Sequence, residues 1–242
     1  MEPPKKLDIL AFAAHPDDTE LSCSGTLAAH IAKGYRVGVI DFTRGEMGTR
    51  GTADIRDREA AAAAAILGLA VRQNMGFRDA FFEDNEANCL ALVRMIRRYQ
   101  PRILLANAPK DRHPDHGRAA ILSERAFFLS GLPKIKTEDN GQPQEAWRPE
   151  VMYHYIQSEY LSPDFVVDIT PFWEKKTAAI AAFRSQFFDP KSDEPATFLS
   201  TPEFMEFIQA RAKELGQAIR VRYGEGFLAQ RQVGVRDFFD LV

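Results

Sequence analysis

Three of the chain's five histidines fall in two short, nearly identical stretches, His15-Pro16-Asp17-Asp18 and His113-Pro114-Asp115-His116. Each sets an imidazole, a proline and a carboxylate in a row. Imidazole and carboxylate are ordinary ligands of zinc. Three protein ligands with one open position mark a catalytic site, whereas structural zinc is normally closed by four ligands. The only two cysteines, Cys23 and Cys89, are far apart, so no thiolate cage is expected. His15 and Asp18 can both point inward from one tight turn, and His116 can supply a third ligand. Asp17 is then free to take the proton of a water as general base. His113 can contact a developing oxyanion or give a proton to the leaving group. Asp115 can hold the far nitrogen of that ring and fix its tautomer. Zn2+ is the first expectation, and Fe2+, Mn2+ or Co2+ would suit the same nitrogen and oxygen donors. Either tetrapeptide alone is also an ordinary surface turn. It is the repetition, each time after an apolar strand, that points to one shared site.

Those two stretches need elements that bring them together. Residues 7–15, 35–43, 71–77 and 102–109 read as strands, being short and apolar. Between and after them, 20–34, 54–68, 85–100 and 117–131 read as helices, two of them with glycine at the stop. Strands alternating with helices of this length predict crossover units and a parallel sheet. The fold class is therefore α/β: a Rossmann-like, doubly wound, mostly parallel sheet flanked by helices, with a smaller irregular C-terminal part. One domain over 1–242 is expected, its core about 7–130 and its C-terminal extension about 150–242. In such sheets ligands sit where the strand order reverses. With the first strand central and the fourth its neighbour, both tetrapeptides open into that cleft. Further strands are expected at 151–157 and 164–170, and helices at 171–187 and 201–219. His154, in the first of these, either lines the pocket or packs against the sheet. His30, near a helix end, reads as a surface residue.

Composition excludes several functions. The net charge is −3 with no long basic run, which disfavours nucleic acid and anionic membranes as partners. The apolar run after the first residues is too short to span a membrane, so a cytoplasmic location is expected. Both cysteines read as free, buried thiols. No G-x-G-x-x-G follows the first strand, which argues against a dinucleotide fold. Thr43–Gly51, with its glycines, lacks the lysine-serine ending of a P-loop. Its Arg44 and Arg50 could receive an anion or face water, and Glu46 could cap the site or face water. Arg56, early in the next helix, could do likewise or pair with Glu59.

The AHPDD and HPDH stretches resemble the signature of the PIG-L/LmbE-like N-deacetylases, and the similarity spans most of the chain. The resemblance implies a zinc-dependent hydrolase removing acetyl from an N-acetylglucosamine unit. It assigns zinc to His15, Asp18 and His116, the general base to Asp17, and oxyanion stabilisation or amine protonation to His113 with Asp115 as its partner. The stretch TRGEMGTRGTADIRDREAAAAA resembles the bacillithiol-pathway branch, which acts on N-acetyl-D-glucosaminyl L-malate, and implies that Arg56 meets the malate carboxylate. It also implies a homo-oligomer, trimer or hexamer, to which the C-terminal FFDLV could contribute. The alternatives are a deacetylase or amidase for another small N-acetylglucosamine derivative or thiol conjugate, a metal-dependent phosphoesterase, and a non-catalytic sugar- or metal-binding module.

Overall fold

The computed structural model describes residues 6–241. Its first half alternates as expected: β1 (Ile9–Ala13), α1 (Asp18–Ser22), α2 (Ser24–Ala32), β2 (Val37–Thr43), α3 (Ala53–Leu67), β3 (Val71–Phe77), α4 (Glu86–Tyr99), β4 (Ile103–Ala106) and α5 (Pro114–Ser130). A small hairpin of β5 (Glu138–Asp139) and β6 (Gln142–Pro143) follows. The chain then adds β7 (Val151–Tyr155), β8 (Phe165–Asp168), α6 (Trp173–Ala181), α7 (Pro202–Ala218) and β9 (Gly224–Ala229).

The main sheet has the order β3-β2-β1-β4-β7-β9-β8. β1 lies between β2 and β4, with Leu10 opposite Gly38 on one side and Leu104 on the other. The order reverses there, so the loops after β1 and β4 part above a crevice. The five strands β3, β2, β1, β4 and β7 are parallel; β9 runs antiparallel to both β7 and β8. Every residue of β1 is buried, which is why Ile9–Ala13 reads as an unbroken apolar run and not as an alternation. Phe12, packed with Phe42 on one face, contributes about 2–3 kcal/mol by full burial. Leu27 of α2 packs with Ile9, Val37 and Val39 in a second cluster.

Three boundaries differ from the sequence expectation. The helix expected over 20–34 is two helices, interrupted at Cys23, whose φ of −138° and ψ of 8° leave the helical region. The helix expected from 117 begins at Pro114, so most of the second tetrapeptide lies in its first turn. Proline there loses no hydrogen bond, because the first helical N–H groups have no partner anyway. The helix expected over 171–187 ends at Ala181 and is followed by turns that carry Ser185 and Gln186 to the cleft side. Cys23 and Cys89 are free and buried, as expected. Phe238 and Phe239 are exposed, while Val242 of the FFDLV stretch lies outside the described residues. No described helix is long and apolar enough to cross a membrane.

Candidate functional site

The two tetrapeptides meet at the C-terminal ends of β1 and β4. Asn107, the residue after β4, ties the end of that strand to the first of them: its Oδ1 accepts the Ala14 N–H at 2.9 Å, and its Nδ2 donates to Asp18 Oδ2 at 2.9 Å. Asp18 sits at the start of α1, and its Oδ2 also accepts the His15 N–H at 2.9 Å. Gln157, just after β7, donates to Asp18 Oδ1 at 3.1 Å. Behind the site α1 is braced by buried charge. Arg72 of β3 pairs with Glu20 at 2.6 Å and Asp41 at 2.8 Å. Lys176 of α6 donates to the Glu20 and Leu21 carbonyls and to Glu225. Glu225 in turn accepts the Gly25 and Thr26 N–H groups. Lys176 thus satisfies the C-terminus of α1 and Glu225 the N-terminus of α2, which accounts for the break at Cys23.

Hydrogen bonds distinguish the three clustered histidines. His116 Nδ1 is 2.6 Å from Asp111 Oδ2, leaving Nε2 to face Asp18 Oδ1 at 3.0 Å. His15 Nε2 faces Asp79 Oδ1 at 3.1 Å and Asp115 Oδ2 at 3.4 Å, leaving Nδ1 3.7 Å from Asp18 Oδ2. His113 differs: it caps α5, its Nδ1 accepting the Asp115 N–H at 3.2 Å. A neutral His113 therefore carries its proton on Nε2, where it is a donor and not a ligand.

The donor set fits a divalent ion. His116 Nε2 lies 3.0 Å from Asp18 Oδ1 and His15 Nδ1 3.7 Å from Asp18 Oδ2, so each imidazole is close to the roughly 3.3 Å from one carboxylate oxygen that neighbouring ligands of a divalent ion with 2.0–2.1 Å bonds keep. Outer carboxylates on the far nitrogens of His15 and His116 are the supports such ligands ordinarily carry. Ring nitrogens of His15, His113 and His116 also lie within 4.8 Å of one another, as do donor atoms of His15, Asp79 and Asp115. The electrostatics agree. Burial opposes protonation of His15, yet Asp115, Asp79 and Asp18 carry it up to about 10. Burial likewise opposes protonation of His116, but Asp18 and Asp111 carry it up to about 9. Burial opposes ionisation of Asp18 too, but His116 and His15 hold its carboxyl far below the usual range. The cluster holds an excess of carboxylate that protons or a cation must answer. His113 alone is pushed down, to about 4, by burial and by His15 and His116, and is neutral at pH 7.

Asp17 stands apart from this cluster. Its φ of 112° places a non-glycine residue in a strained region, a feature often found at active sites. Arg56 Nη2 donates to Asp17 Oδ2 at 3.1 Å and to the Pro16 carbonyl at 2.6 Å, while Nη1 donates to the Gly45 carbonyl at 3.2 Å. Burial pushes the Asp17 carboxyl up to about 7, although Arg56 and His15 pull it down. Asp17, Asp18 and the three histidines all border one cleft of about 350 Å³. Its far wall is apolar and comes from the C-terminal part, including Leu199, Phe204, Phe207 and Ile208.

Residues 10–127 match the family model PIG-L, GlcNAc-PI de-N-acetylase. A conserved protein of Thermus thermophilus superposes with a TM-score of 0.85 at 38% identity, covering 95% of this chain and 97% of that one. The chain belongs to the PIG-L family. It is a hydrolytic deacetylase of the PIG-L type with a candidate divalent-metal site. A diacetylchitobiose deacetylase of Thermococcus kodakarensis is 28% identical over 74% of this chain and 70% of its own length. A 4-oxalmesaconate hydratase of Pseudomonas putida is 29% identical over 77% of this chain and 76% of its own.

Within this PIG-L chain, the sequence-predicted substrate residues are dispersed. Arg56 and Arg50 are buried and border the cleft. Arg44 does not border it; its guanidinium is taken by Asp54 at 2.6 Å and Asp57 at 2.5 Å. Glu46 also lies outside the lining, accepting the Asp79 N–H at 2.8 Å and the Arg44 N–H at 3.2 Å. The Arg56–Glu59 pair is replaced by Arg56–Asp17, while Glu59 accepts from Ser185 at 2.7 Å. Asp115 is corrected as well: its carboxylate faces His15 and Arg118, and only its backbone N–H meets His113. His154 is buried away from the cleft, with Nδ1 bonded to the Asn107 carbonyl at 2.6 Å and Nε2 3.2 Å from Glu124. His30 is half-buried, its Nδ1 bonded to the Thr26 carbonyl at 2.8 Å. Sequence reasoning missed Asn107, Gln157, Asp79 and Asp111. Asn107 and Gln157 carried one usable signal, a polar residue at the end of a parallel strand.

Proposed function

We propose that this chain hydrolyses the acetamide of a small N-acetylglucosamine derivative, releasing acetate and the free amine. The observation that carries the reading is Asp17: buried, held by Arg56, and beside but outside the His15, Asp18 and His116 cluster. In this reading those three residues hold the metal. A bound divalent ion supplies Lewis acidity toward an acyl oxygen and toward water. Asp17 accepts the water proton as attack on the amide carbon begins, and Arg56 fixes the orientation of the accepting carboxylate. The Nε2–H of His113 donates to the acyl oxygen as negative charge develops. Asp17, now protonated, returns the proton to the departing nitrogen. With His113 neutral at pH 7, its role is that of hydrogen-bond donor, and proton return falls to Asp17.

The class of N-acetylglucosamine derivative is supported by the family and by the diacetylchitobiose deacetylase relative. The narrower substrate we infer within it is N-acetyl-D-glucosaminyl L-malate, in bacillithiol biosynthesis. Its support is the resemblance of residues 43–64 to that branch; Arg56, which that resemblance sets against the malate carboxylate, borders the cleft and is held there by Asp17 and by the Pro16 and Gly45 carbonyls. A cytoplasmic homo-oligomer, trimer or hexamer, belongs to this same reading. The test is mass spectrometry of the products from N-acetylglucosaminyl malate, diacetylchitobiose and N-acetylglucosamine, with and without chelator. The reading expects loss of one acetyl group, abolished by chelation. Hydration of 4-oxalmesaconate with no deacetylation of any sugar would overturn it.

A further inference from the structure

Five arginine and lysine side chains border the cleft, and four of them are already committed to this chain's own oxygens. Arg50 donates to the Ser185 carbonyl and Ser192 Oγ, 2.9 and 2.8 Å away, and lies 3.5 Å from Glu194. Arg56 is held by Asp17, Pro16 and Gly45. Lys176 is buried against Glu225 at 2.7 Å. Arg211 binds the carbonyls of Gln157, Ser158 and Glu159. Arg112 is the exception among the described residues of the lining. It is exposed, and its guanidinium lies 4.7 Å from the ring centroid of Phe198, itself 53% exposed. The neighbouring carboxylate that might neutralise it, Asp111, is turned to His116 Nδ1 and to the Glu159 N–H.

A guanidinium laid against an aromatic ring keeps its edge N–H groups free in a planar fork, and that fork matches a carboxylate or phosphate. Arg112 also adjoins His113 in the chain, so the fork stands at the mouth of the cleft just outside the reacting centre. We propose that Arg112, on its Phe198 platform, is the specificity-determining residue that reads an anionic group on the aglycone of the substrate. The inference rests on the deacetylase reading above and deepens it: a cation left unneutralised at the mouth selects sugars whose aglycone is charged over neutral ones. Arg56 and Arg50, enclosed by their own partners, serve the site from within.

The test compares N-acetylglucosaminyl malate, N-acetylglucosamine 1-phosphate and methyl N-acetylglucosaminide on the metal-loaded wild type, Arg112→Gln, Arg112→Lys and Phe198→Ala. For Arg112→Gln the preference for the anionic sugars, as a ratio of kcat/KM to the neutral one, falls about 10- to 100-fold, the effect carried by KM. Arg112→Lys restores part of it as a point charge, and Phe198→Ala loses part of it. A larger loss for the malate than for the phosphate identifies a carboxylate as the anion, and the reverse identifies phosphate. An unchanged preference in Arg112→Gln overturns the proposal while leaving the deacetylase reading intact. If wild type deacetylates none of the three, that reading fails, and Arg112 is judged by calorimetry with glucosaminyl malate. A Kd raised at least about tenfold by Arg112→Gln upholds the anion site, and an unchanged Kd overturns it.

Discussion

Two adjacent aspartates differ in kind because their surroundings differ. Asp18 meets two imidazoles and three hydrogen-bond donors, so its carboxyl is held ionised. Asp17 is turned the other way by a positive φ, and burial lifts it to about 7. Replacement of Asp17 by Asn keeps the shape and suits the positive φ, since Asn tolerates that region. Elemental analysis is expected to find metal retained in Asp17→Asn, while acetate release falls about a thousandfold, within the span typical of a lost general base. Retention of turnover would remove Asp17 from the reaction. The adjacent carboxylates themselves were plain in the sequence, and so was the pairing of His15 with His116. What could not be read there is which nitrogen of each ring is free. That depends on Asp111, Asp79 and the α5 cap, contacts set by the fold.

The elements that position these residues show where local signals end. β1, β2, β4 and α4 were legible because their apolar patterns are local and nothing distant contradicts them. The break at Cys23 was not, because its causes, Lys176 and Glu225, lie about 150 to 200 positions further along the chain. Replacing Lys176 with Met leaves the Glu225 carboxylate buried on the Gly25 and Thr26 N–H groups without a counter-charge. Urea unfolding is expected to show a loss of about 3–5 kcal/mol, as for other broken buried pairs. Asn107 was missed for a similar reason, since its partner Asp18 is 89 positions away. The loop after β2 gives a second prediction. Gly45 has a φ of 66°, and a Cβ added there would run into the Arg56 guanidinium. Gly45→Ala is therefore expected to cost about 1–2 kcal/mol in backbone strain alone. It should also release Arg56 from Asp17, lowering kcat more than metal content. Normal kcat in Gly45→Ala would show that the Arg56–Asp17 contact does not matter for turnover.

Over the whole molecule, metal and proton compete for one pair of loops. Without metal, His15 and His116 are raised to about 10 and about 9, against 6.5 for an unfolded histidine. Their stabilising contribution is complete below pH 6.5 and disappears as pH rises through 9 and 10. Asp17, raised from 3.8 to about 7, acts in the same direction at lower pH. The metal-free protein is thus expected to lose thermal stability from neutral to alkaline pH. The metal-loaded protein should hold its midpoint, because the cation replaces those protons. Parallel melting curves across that range check this, and equal slopes for both forms would count against it. Two distant loops enclosing one divalent ion are the centre of the proposed chemistry, and an anomalous difference map at the zinc edge tests that most directly. One peak per chain, within bonding distance of His15 Nδ1, Asp18 and His116 Nε2, is the predicted result. A peak between His15, Asp79 and Asp115, or no peak in zinc-soaked crystals, would contradict it.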